Sequence, residues 1–159
     1  MQKAYLAALL LYLPFCLAWH LSLPAQASEQ DLCQDVEEAW NAIEGYPYVW
    51  GGSKFEDGGF DCSGAIFKVN KLMGRPVPRT TSKKYYLTTK GQDNHWSEAQ
   101  CGWLVWWTLS PNRPYGHIGM HVEHPDIWQS GSSTGPTRIS FRTGGYWDRN
   151  FESSKRFME

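Results

Sequence analysis

The chain has 159 residues, of which 19% are charged and 42% hydrophobic, and its formal net charge is −1 at pH 7. A chain of this length fits one ordinary domain with a single core. The near-neutral balance, without a block of basic residues, argues against nucleic acid or an anionic membrane surface as a binding partner.

The N-terminal segment has the pattern of a cleavable export signal. Lys3 provides a short positive region, residues 5–23 are almost entirely apolar, and Ala25-Gln26-Ala27 offers a small-residue cleavage site. The apolar stretch is short for a membrane span. We therefore expect a signal peptide over residues 1–27 and a single domain over residues 28–159. We also expect a periplasmic or secreted location without a stable membrane anchor.

The first half of the remaining chain predicts helices. Apolar residues recur every three to four positions in two segments, each closed by a glycine at which a helix can end, Gly45 and Gly74. A glycine-rich segment between them is predicted as a loop, and a short third helix follows a proline-containing link. The predicted helices span residues 31–44, 62–73 and 82–89, and the predicted loop spans residues 46–60.

The chain after Cys101 has the composition of β-strands. We interpret the closely spaced Trp103, Trp106 and Trp107 as core and groove wall rather than as a sugar-stacking platform. Residues 123–126 form a connection short enough for a hairpin. Helices followed by an antiparallel meander indicate the α+β class. The predicted strands are residues 103–108, 117–122, 127–130 and 138–142, with an irregular last strand within residues 146–157.

Outside the expected signal peptide the chain has three cysteines, Cys33, Cys62 and Cys101. An odd number in an exported protein leaves one free thiol or an intermolecular bridge. If Cys62 must stay free to react, Cys33 and Cys101 remain as the pair for a disulfide. Two buried free thiols are the alternative, because free cysteine packs as a small hydrophobic residue.

Cys62 is the candidate nucleophile, since it lies between a glycine-rich loop and a predicted helix, in Gly59-Phe60-Asp61-Cys62-Ser63-Gly64. Backbone N–H groups and the macrodipole at a helix N-terminus favour an anion, so this position favours the thiolate. A thiolate is the nucleophile of cysteine hydrolases, which also need a histidine base and a polar group that orients it.

His117 is the candidate base. It opens a predicted strand, on which side chains alternate, so His117 and Gly119 share one face while the apolar residues share the other. If the hairpin turn is centred on His124 and Pro125, we expect Gln129 on the face of His117, near its diagonal neighbour. The amide oxygen of Gln129 can accept the imidazole N–H and leave the other ring nitrogen free to take the thiol proton.

No metal site is expected, although Cys62, His117, His121 and His124 are potential ligands. No C-x-x-C or H-x-x-x-H pair places two ligands on one helix. His117 and His121 share a strand face but are too far apart to chelate one ion easily. The proposed chemistry requires neither a metal nor an organic cofactor.

Five blocks of the sequence resemble the NlpC/P60 family of cell-wall peptidases in order and approximate spacing. The cysteine block and the Gly-His block in this order are specific together, although each alone is weak. The blocks are Tyr48-Val49-Trp50-Gly51-Gly52, Phe60-Asp61-Cys62-Ser63-Gly64, Pro78-Arg79-Thr80, Gly102-Trp103-Leu104-Val105 and Gly116-His117-Ile118-Gly119.

The resemblance implies a papain-like α+β fold whose nucleophile lies on a helix packed against an antiparallel sheet. It also implies a cysteine peptidase that hydrolyses γ-D-glutamyl–diamino-acid (meso-diaminopimelate) bonds in the stem peptides of peptidoglycan. Separately, we expect the protein to be a monomer. Carried over to this sequence, it makes Cys62 the nucleophile, His117 the base and Gln129 the third polar residue of a Cys-His-Gln triad.

The same resemblance implies three substrate-binding residues. Tyr48 matches a tyrosine that lines the site, and Asp61 and Ser63 match positions associated with recognising the free amine of a stem peptide. Trp103 departs from the family pattern, which usually has an aspartate there. That aspartate is not catalytic, so the departure bears on groove shape and specificity rather than on activity.

Three other functions remain open at this point. One is an amidase of similar fold that cuts between sugar and stem or within the crosslink, and another is a secreted antibacterial effector. The third is a non-catalytic wall-binding module. The presence of Cys62, His117 and Gln129 together favours an enzyme over that module.

Overall fold

The computed structural model describes residues 29–157. The expected signal peptide lies outside these residues. Within them the α-helices are α1 (Glu29–Asn41), α2 (Cys62–Leu72), α3 (Ser82–Thr88) and α4 (Tyr146–Arg149), and two short 3-10 helices span Phe55–Asp57 and Trp96–Glu98. The strands are β1 (Ser53–Lys54), β2 (Gly59–Phe60), β3 (Leu104–Trp107), β4 (His117–Glu123), β5 (Asp126–Gly131), β6 (Gly135–Ser140) and β7 (Phe151–Lys155).

The three predicted helices are present. α1 ends at Asn41, three residues earlier than predicted, and passes into turns up to Gly45. α2 and α3 begin at side-chain caps, because the Asp61 carboxylate accepts from the N–H of Gly64 and the Thr81 hydroxyl accepts from that of Lys84. Such caps satisfy backbone donors that the first helical turn leaves free.

The main sheet has five antiparallel strands in the order β6-β5-β4-β3-β7. This arrangement of helices and sheet confirms the predicted α+β class. The loop predicted over residues 46–60 contains the small β1–β2 pair. Two predictions were wrong in detail: β6 begins at Gly135, and the segment from Tyr146 begins as helix α4. Pro136 weakened the sequence signal for β6, yet proline is tolerated there because β6 is an edge strand.

The two faces of the sheet are both covered. One face contributes Trp106, Ile118 and Met120 to a core shared with α1, α2 and α3. The other face contributes Trp107 and Ile127 to a smaller aromatic cluster. Both of the tryptophans predicted as core in β3 are therefore fully buried, on opposite sides of the same strand.

A register shift in the β4–β5 hairpin determines which side chains share a face. Glu123 pairs with Asp126 across the turn, so a regular ladder from that turn would pair Gln129 with Met120. The ladder instead shifts between His121 and Glu123, and Gln129 pairs with Gly119. This bulge places Gln129 on the face of His117. The expectation that a turn centred on His124 and Pro125 does so was wrong, because that turn by itself places Gln129 on the opposite face.

Side-chain hydrogen bonds attach the helical layer and the glycine-rich loop to the sheet. The Ser130 hydroxyl donates to the Phe60 carbonyl at 2.7 Å, just before the nucleophile helix. The Trp106 indole donates to the carbonyl of Ser82 at 3.1 Å. Among the residues described, no helix has the length and apolar character needed to span a bilayer.

Candidate active site

Cys62 is the first residue of α2 and its side chain is buried. The helix start packs tightly on the glycine-rich loop, since a Cβ on Gly64 would lie 1.9 Å from the carbonyl oxygen of Gly52. Only glycine fits at that position without moving backbone. The close contact fixes the position of the first turn of α2, and therefore of the cysteine, against the loop.

Asp61 and Ser63, which flank the cysteine, are both engaged within the protein. One Asp61 oxygen accepts from the Ser63 hydroxyl at 2.9 Å and from the N–H of Gly64 at 2.6 Å. The other accepts from the N–H of Gly51 at 2.9 Å and from the Arg79 guanidinium at 2.8 Å. Arg79 also donates to the Ser63 hydroxyl at 2.8 Å. Both residues are buried beside the nucleophile, and their polar atoms already have partners.

His117 and Gln129 form a buried hydrogen-bonded pair. The imidazole Nε2 and the amide Oε1 are 2.9 Å apart. Because an amide oxygen only accepts, this contact places the proton on Nε2 and leaves Nδ1 free to accept one. Gln129 lies opposite Gly119 on the neighbouring strand, one diagonal step from His117.

Two tryptophans enclose the imidazole of His117. Trp107 is its direct cross-strand neighbour, with ring centroids 5.5 Å apart. Trp147 of α4 also stacks on the imidazole, with ring centroids 5.7 Å apart and an interplanar angle of 24°. His117 and Gln129 are both buried, and a hydrogen bond in such low-dielectric surroundings is stronger than in water.

Burial determines the charge of both reacting groups. It raises the pKa of the Cys62 thiol to about 11, with a smaller contribution in the same direction from Asp61. Backbone N–H groups of Ile118 and Ser63 act to lower this pKa but are outweighed. Burial lowers the pKa of His117 to about 4 against a weaker opposing effect of Gln129. The resting pair is therefore a neutral thiol and a neutral imidazole, because burial outweighs the bias towards the thiolate that was expected from the helix start.

Cys62, His117 and Gln129 open onto one cleft with a volume of about 730 Å³. Tyr48 lines the same cleft, and burial raises the pKa of its phenol to about 12, so the hydroxyl stays protonated. The structure therefore brings together four of the residues singled out from sequence. The cleft is also rich in hydroxyl-bearing residues, Ser132, Ser133, Thr134 and Thr137.

Trp103 does not belong to the cleft. It lies just before β3, where its N–H donates to the carbonyl of Gln100 and its carbonyl accepts from the N–H of His121. It is not among the described residues that line the cleft. The departure at this position therefore does not reshape the groove next to Cys62.

Cys33 of α1 and Cys101 are joined as a disulfide, with their Cα atoms 5.6 Å apart and a sequence separation of 68. Among residues 29–157, Cys62 is the free cysteine. Within the same range, no group of three or more His, Cys, Asp and Glu side chains is arranged to hold a metal ion.

The sequence reasoning missed Trp147, Trp50 and Arg113, all of which line the cleft. Trp147 lies 30 positions after His117, in a segment predicted as strand, and no spacing rule connects the two. Trp50 is 74% exposed, which is unusual for a side chain of its size. It belongs to one of the five recognised blocks, and that was the only available signal.

The sequence profile of the NlpC/P60 family matches residues 45–156, more than half of the chain. The chain belongs to the NlpC/P60 family. The match contains every cleft residue named above, together with Arg79. It begins after α1, so Cys33 lies outside the matched region.

Two bacterial proteins illustrate the relatives of this NlpC/P60 chain. It is 31% identical over 115 residues to the murein DD-endopeptidase MepH of Escherichia coli K12, covering 72% of the chain and 42% of MepH. It is 33% identical over 118 residues to the bifunctional muramidase/DL-endopeptidase CwlT of Bacillus subtilis 168, covering 74% of the chain and 34% of CwlT. The chain thus spans less than half the length of these relatives.

Solved structures confirm the papain-like NlpC/P60 fold. A lipoprotein-like NLP/P60 family protein from Staphylococcus aureus has a TM-score of 0.67 at 26% identity, covering 84% of this chain and 44% of that one. The peptidoglycan hydrolase RipB of Mycobacterium tuberculosis has a TM-score of 0.63 at 23% identity, covering 84% and 68%. At that lower identity, the likeness to RipB supports the fold alone.

Proposed function

We propose that this protein is a cysteine peptidase that hydrolyses peptide bonds in peptidoglycan. One observation carries the proposal. A free, buried cysteine at a helix start and a hydrogen-bonded His–Gln pair line the same cleft. Such an arrangement supplies a nucleophile, a base and a group that orients the base. The family and the names of its relatives direct this chemistry to the bacterial wall.

The proton takes a defined route in this mechanism. Gln129 holds the Nε2–H of His117, so the thiol proton of Cys62 passes to Nδ1 as the sulfur attacks the scissile carbonyl carbon. The C–S bond forms while the carbonyl π electrons move to oxygen. Backbone N–H groups at the start of α2 and the protonated Tyr48 hydroxyl are the donors available for the oxyanion.

Collapse of the tetrahedral intermediate breaks the C–N bond, and the His117 imidazolium gives its proton to the leaving amine. The resulting thioester on Cys62 is attacked by water, with His117 again as the base. Its hydrolysis releases the carboxylate product and restores the thiol. Because the resting pair is neutral, proton transfer accompanies nucleophilic attack rather than preceding it.

For the bond cleaved, we propose the γ-D-glutamyl–diamino-acid linkage. One relative is named a DD-endopeptidase and another a DL-endopeptidase, so both bond types occur among similar proteins. Digestion of defined muropeptides followed by mass spectrometry tests the choice. We expect fragments that end in D-glutamate and others that begin with the diamino acid. Cleavage at the crosslink, or release of whole stems from sugar, would contradict it.

The role proposed for Asp61 and Ser63 in binding a free substrate amine has a competitor in the structure. Arg79 already bonds to both side chains, and each Asp61 oxygen already accepts two hydrogen bonds. An incoming amine therefore has to displace or share the Arg79 contact. Comparing kcat/KM for stem peptides with a free and an acetylated N-terminus measures whether this recognition occurs, and a preference for the free amine supports it.

We further propose that residues 1–27 direct export and are removed, leaving residues 28–159 as a monomeric domain that acts on stem peptides in the periplasm or outside the cell. The substrate class and the relatives named for murein support an extracytoplasmic location. Edman sequencing of the protein recovered from a secreting host should start at Ser28. A mature chain that starts with Met1 would contradict removal of the signal.

A further inference from the structure

The charged side chains that line the cleft at Cys62 are of one sign, and the Asp61 carboxylate next to the nucleophile is paired with Arg79. Among the described residues that line the cleft, Arg113 alone is charged at neutral pH, and none is Asp or Glu. An adjoining recess of about 300 Å³ shares Trp50 and Arg113 with the cleft and adds Lys83, again without an acidic residue among those described. The entrance to the nucleophile is therefore cationic, although the chain as a whole has a net charge of −1.

Arg113 is available to a ligand. Its guanidinium carbon lies 5.4 Å from the centroid of the exposed Trp50 ring. Arg79, Arg138 and Lys155 form ion pairs, whereas none is found for Arg113 within residues 29–157. Contact with an aromatic ring face orients a guanidinium. Its N–H donors lie in the plane of the guanidinium and stay free to bind a ligand. The group is thus oriented and has no carboxylate partner in this part of the chain.

The backbone that carries Arg113 is fixed at both ends of a short loop. The N–H of Arg113 donates to the carbonyl of Ser110 at 2.8 Å, and its carbonyl accepts from the N–H of Gly116 at 3.0 Å. A Cβ on Gly116 would lie 2.7 Å from that carbonyl oxygen, so the turn requires glycine. Tyr115 stacks on Tyr86 with ring centroids 3.6 Å apart. The loop therefore presents Arg113 from a defined position directly before β4, whose first residue is the proposed base.

The bond proposed above places carboxylates on both sides of the reacting carbonyl. A γ-glutamyl amide uses the side-chain carboxyl, so the α-carboxylate of that residue stays free. The diamino acid on the other side carries carboxylates of its own. A guanidinium binds a carboxylate through two parallel N–H···O bonds, which a carboxamide cannot accept in the same way.

We propose that Arg113, oriented by Trp50, binds a substrate carboxylate that flanks the scissile bond and selects anionic stem peptides over amidated ones. This inference rests on the proposed function. It makes Arg113 a specificity-determining residue with no part in proton transfer. Its contribution belongs to substrate binding, so its loss raises KM more than it lowers kcat.

The test compares three synthetic stem peptides: one with both flanking carboxylates free, one with the glutamyl α-carboxamide and one with the diamino-acid carboxamide. We expect the wild type to cleave the first about tenfold more efficiently in kcat/KM than one of the amidated peptides. In Arg113→Gln this ratio falls to about one, through KM, with kcat within about twofold. Arg113→Lys keeps part of the ratio. The amidated peptide that the wild type cleaves less efficiently identifies the carboxylate that Arg113 binds.

Lys71→Gln is the matched charge control, because it removes one positive charge from the exposed far end of α2, nine residues after Cys62. It should leave the ratio unchanged. An unchanged ratio in Arg113→Gln, or an equal loss of kcat on all three peptides, overturns the inference while cleavage by the wild type still supports the proposed function. Failure of the wild type to cleave any of the three contradicts the proposed function and this inference with it.

Discussion

Desolvation and the helix dipole act in opposite directions on Cys62. The helix N-terminus favours a thiolate, typically by less than about 2 kcal/mol. Burial disfavours it more strongly and raises the pKa of the thiol to about 11. Burial likewise keeps His117 neutral by lowering its pKa to about 4. The sequence shows the helix start but not the depth of burial, so only one of the two effects could be predicted.

The lowered pKa of His117 gives a prediction for the pH dependence of catalysis. The base is unprotonated above a pH of about 4. On the acid side, kcat/KM should therefore fall only as the pH approaches 4. Initial rates on a defined muropeptide between pH 4 and 9 provide the measurement. An acid limb centred near 6.5, the ordinary value for histidine, would show that the imidazole is not shielded in the working enzyme.

Gln129 is predicted to orient His117 without transferring a proton. Gln129→Ala should lower kcat about tenfold to a hundredfold, less than His117→Ala, because the imidazole loses its acceptor but keeps its basicity. Gln129→Glu retains an acceptor oxygen and adds a negative charge. It should therefore retain more activity than Gln129→Ala and shift the acid limb to higher pH. A loss in Gln129→Ala as large as in His117→Ala would assign Gln129 a different role.

At the scale of elements, the bulge in the β4–β5 hairpin decides whether a triad can form. Hydrophobic alternation predicted both strands and placed His117 on the face away from the apolar residues. The bulge between His121 and Glu123 leaves no clear signal in the sequence, yet without it Gln129 would lie on the opposite face. Periodicity therefore predicted the elements, whereas the final side-chain pairing depends on ladder geometry that only the folded backbone shows.

The start of α2 provides a second test at this scale. Gly64→Ala introduces a methyl group 1.9 Å from the Gly52 carbonyl oxygen, a backbone atom that cannot move independently. We expect a loss of about 1–3 kcal/mol in the free energy of unfolding and a lower kcat, because the helix start carrying Cys62 shifts. Urea denaturation and initial rates measure the two effects. Lys71→Ala, exposed on the same helix, should change stability by less than about 0.5 kcal/mol.

A fully stable and active Gly64→Ala enzyme would show that the helix start and the glycine-rich loop have room for a methyl group between them. A loss of stability without loss of kcat per folded molecule would separate the packing of α2 from the placement of its cysteine. Only the combined loss supports the structural explanation for glycine at this position.

In the protein as a whole, two histidines of β4, His117 and His121, are buried as neutral groups. Burial lowers the pKa of His117 and of His121 to about 4, well below the value of about 6.5 in an unfolded chain. Between these values the unfolded chain binds protons that the folded chain does not. Stability from this source is therefore full above pH 6.5 and falls as the pH drops towards 4.

This linkage predicts that acid destabilises the protein well before its carboxylates are protonated. From pH 7 to pH 5 the free energy of unfolding should fall by about 2 kcal/mol for each buried histidine. Urea titrations at several pH values measure the slope, and replacement of His121 by Gln should remove about half of it. A free energy of unfolding that stays constant between pH 7 and pH 5 would contradict the burial of neutral histidines.

In the proposed mechanism, Cys62 carries out the hydrolysis of peptide bonds in peptidoglycan. The most direct measurement is the release of new amino groups and soluble fragments from purified peptidoglycan, with the wild type and Cys62→Ala compared at equal concentrations of folded protein. The proposed mechanism predicts release by the wild type and none above background by Cys62→Ala. Equal release by the two proteins, or none by either, would contradict it.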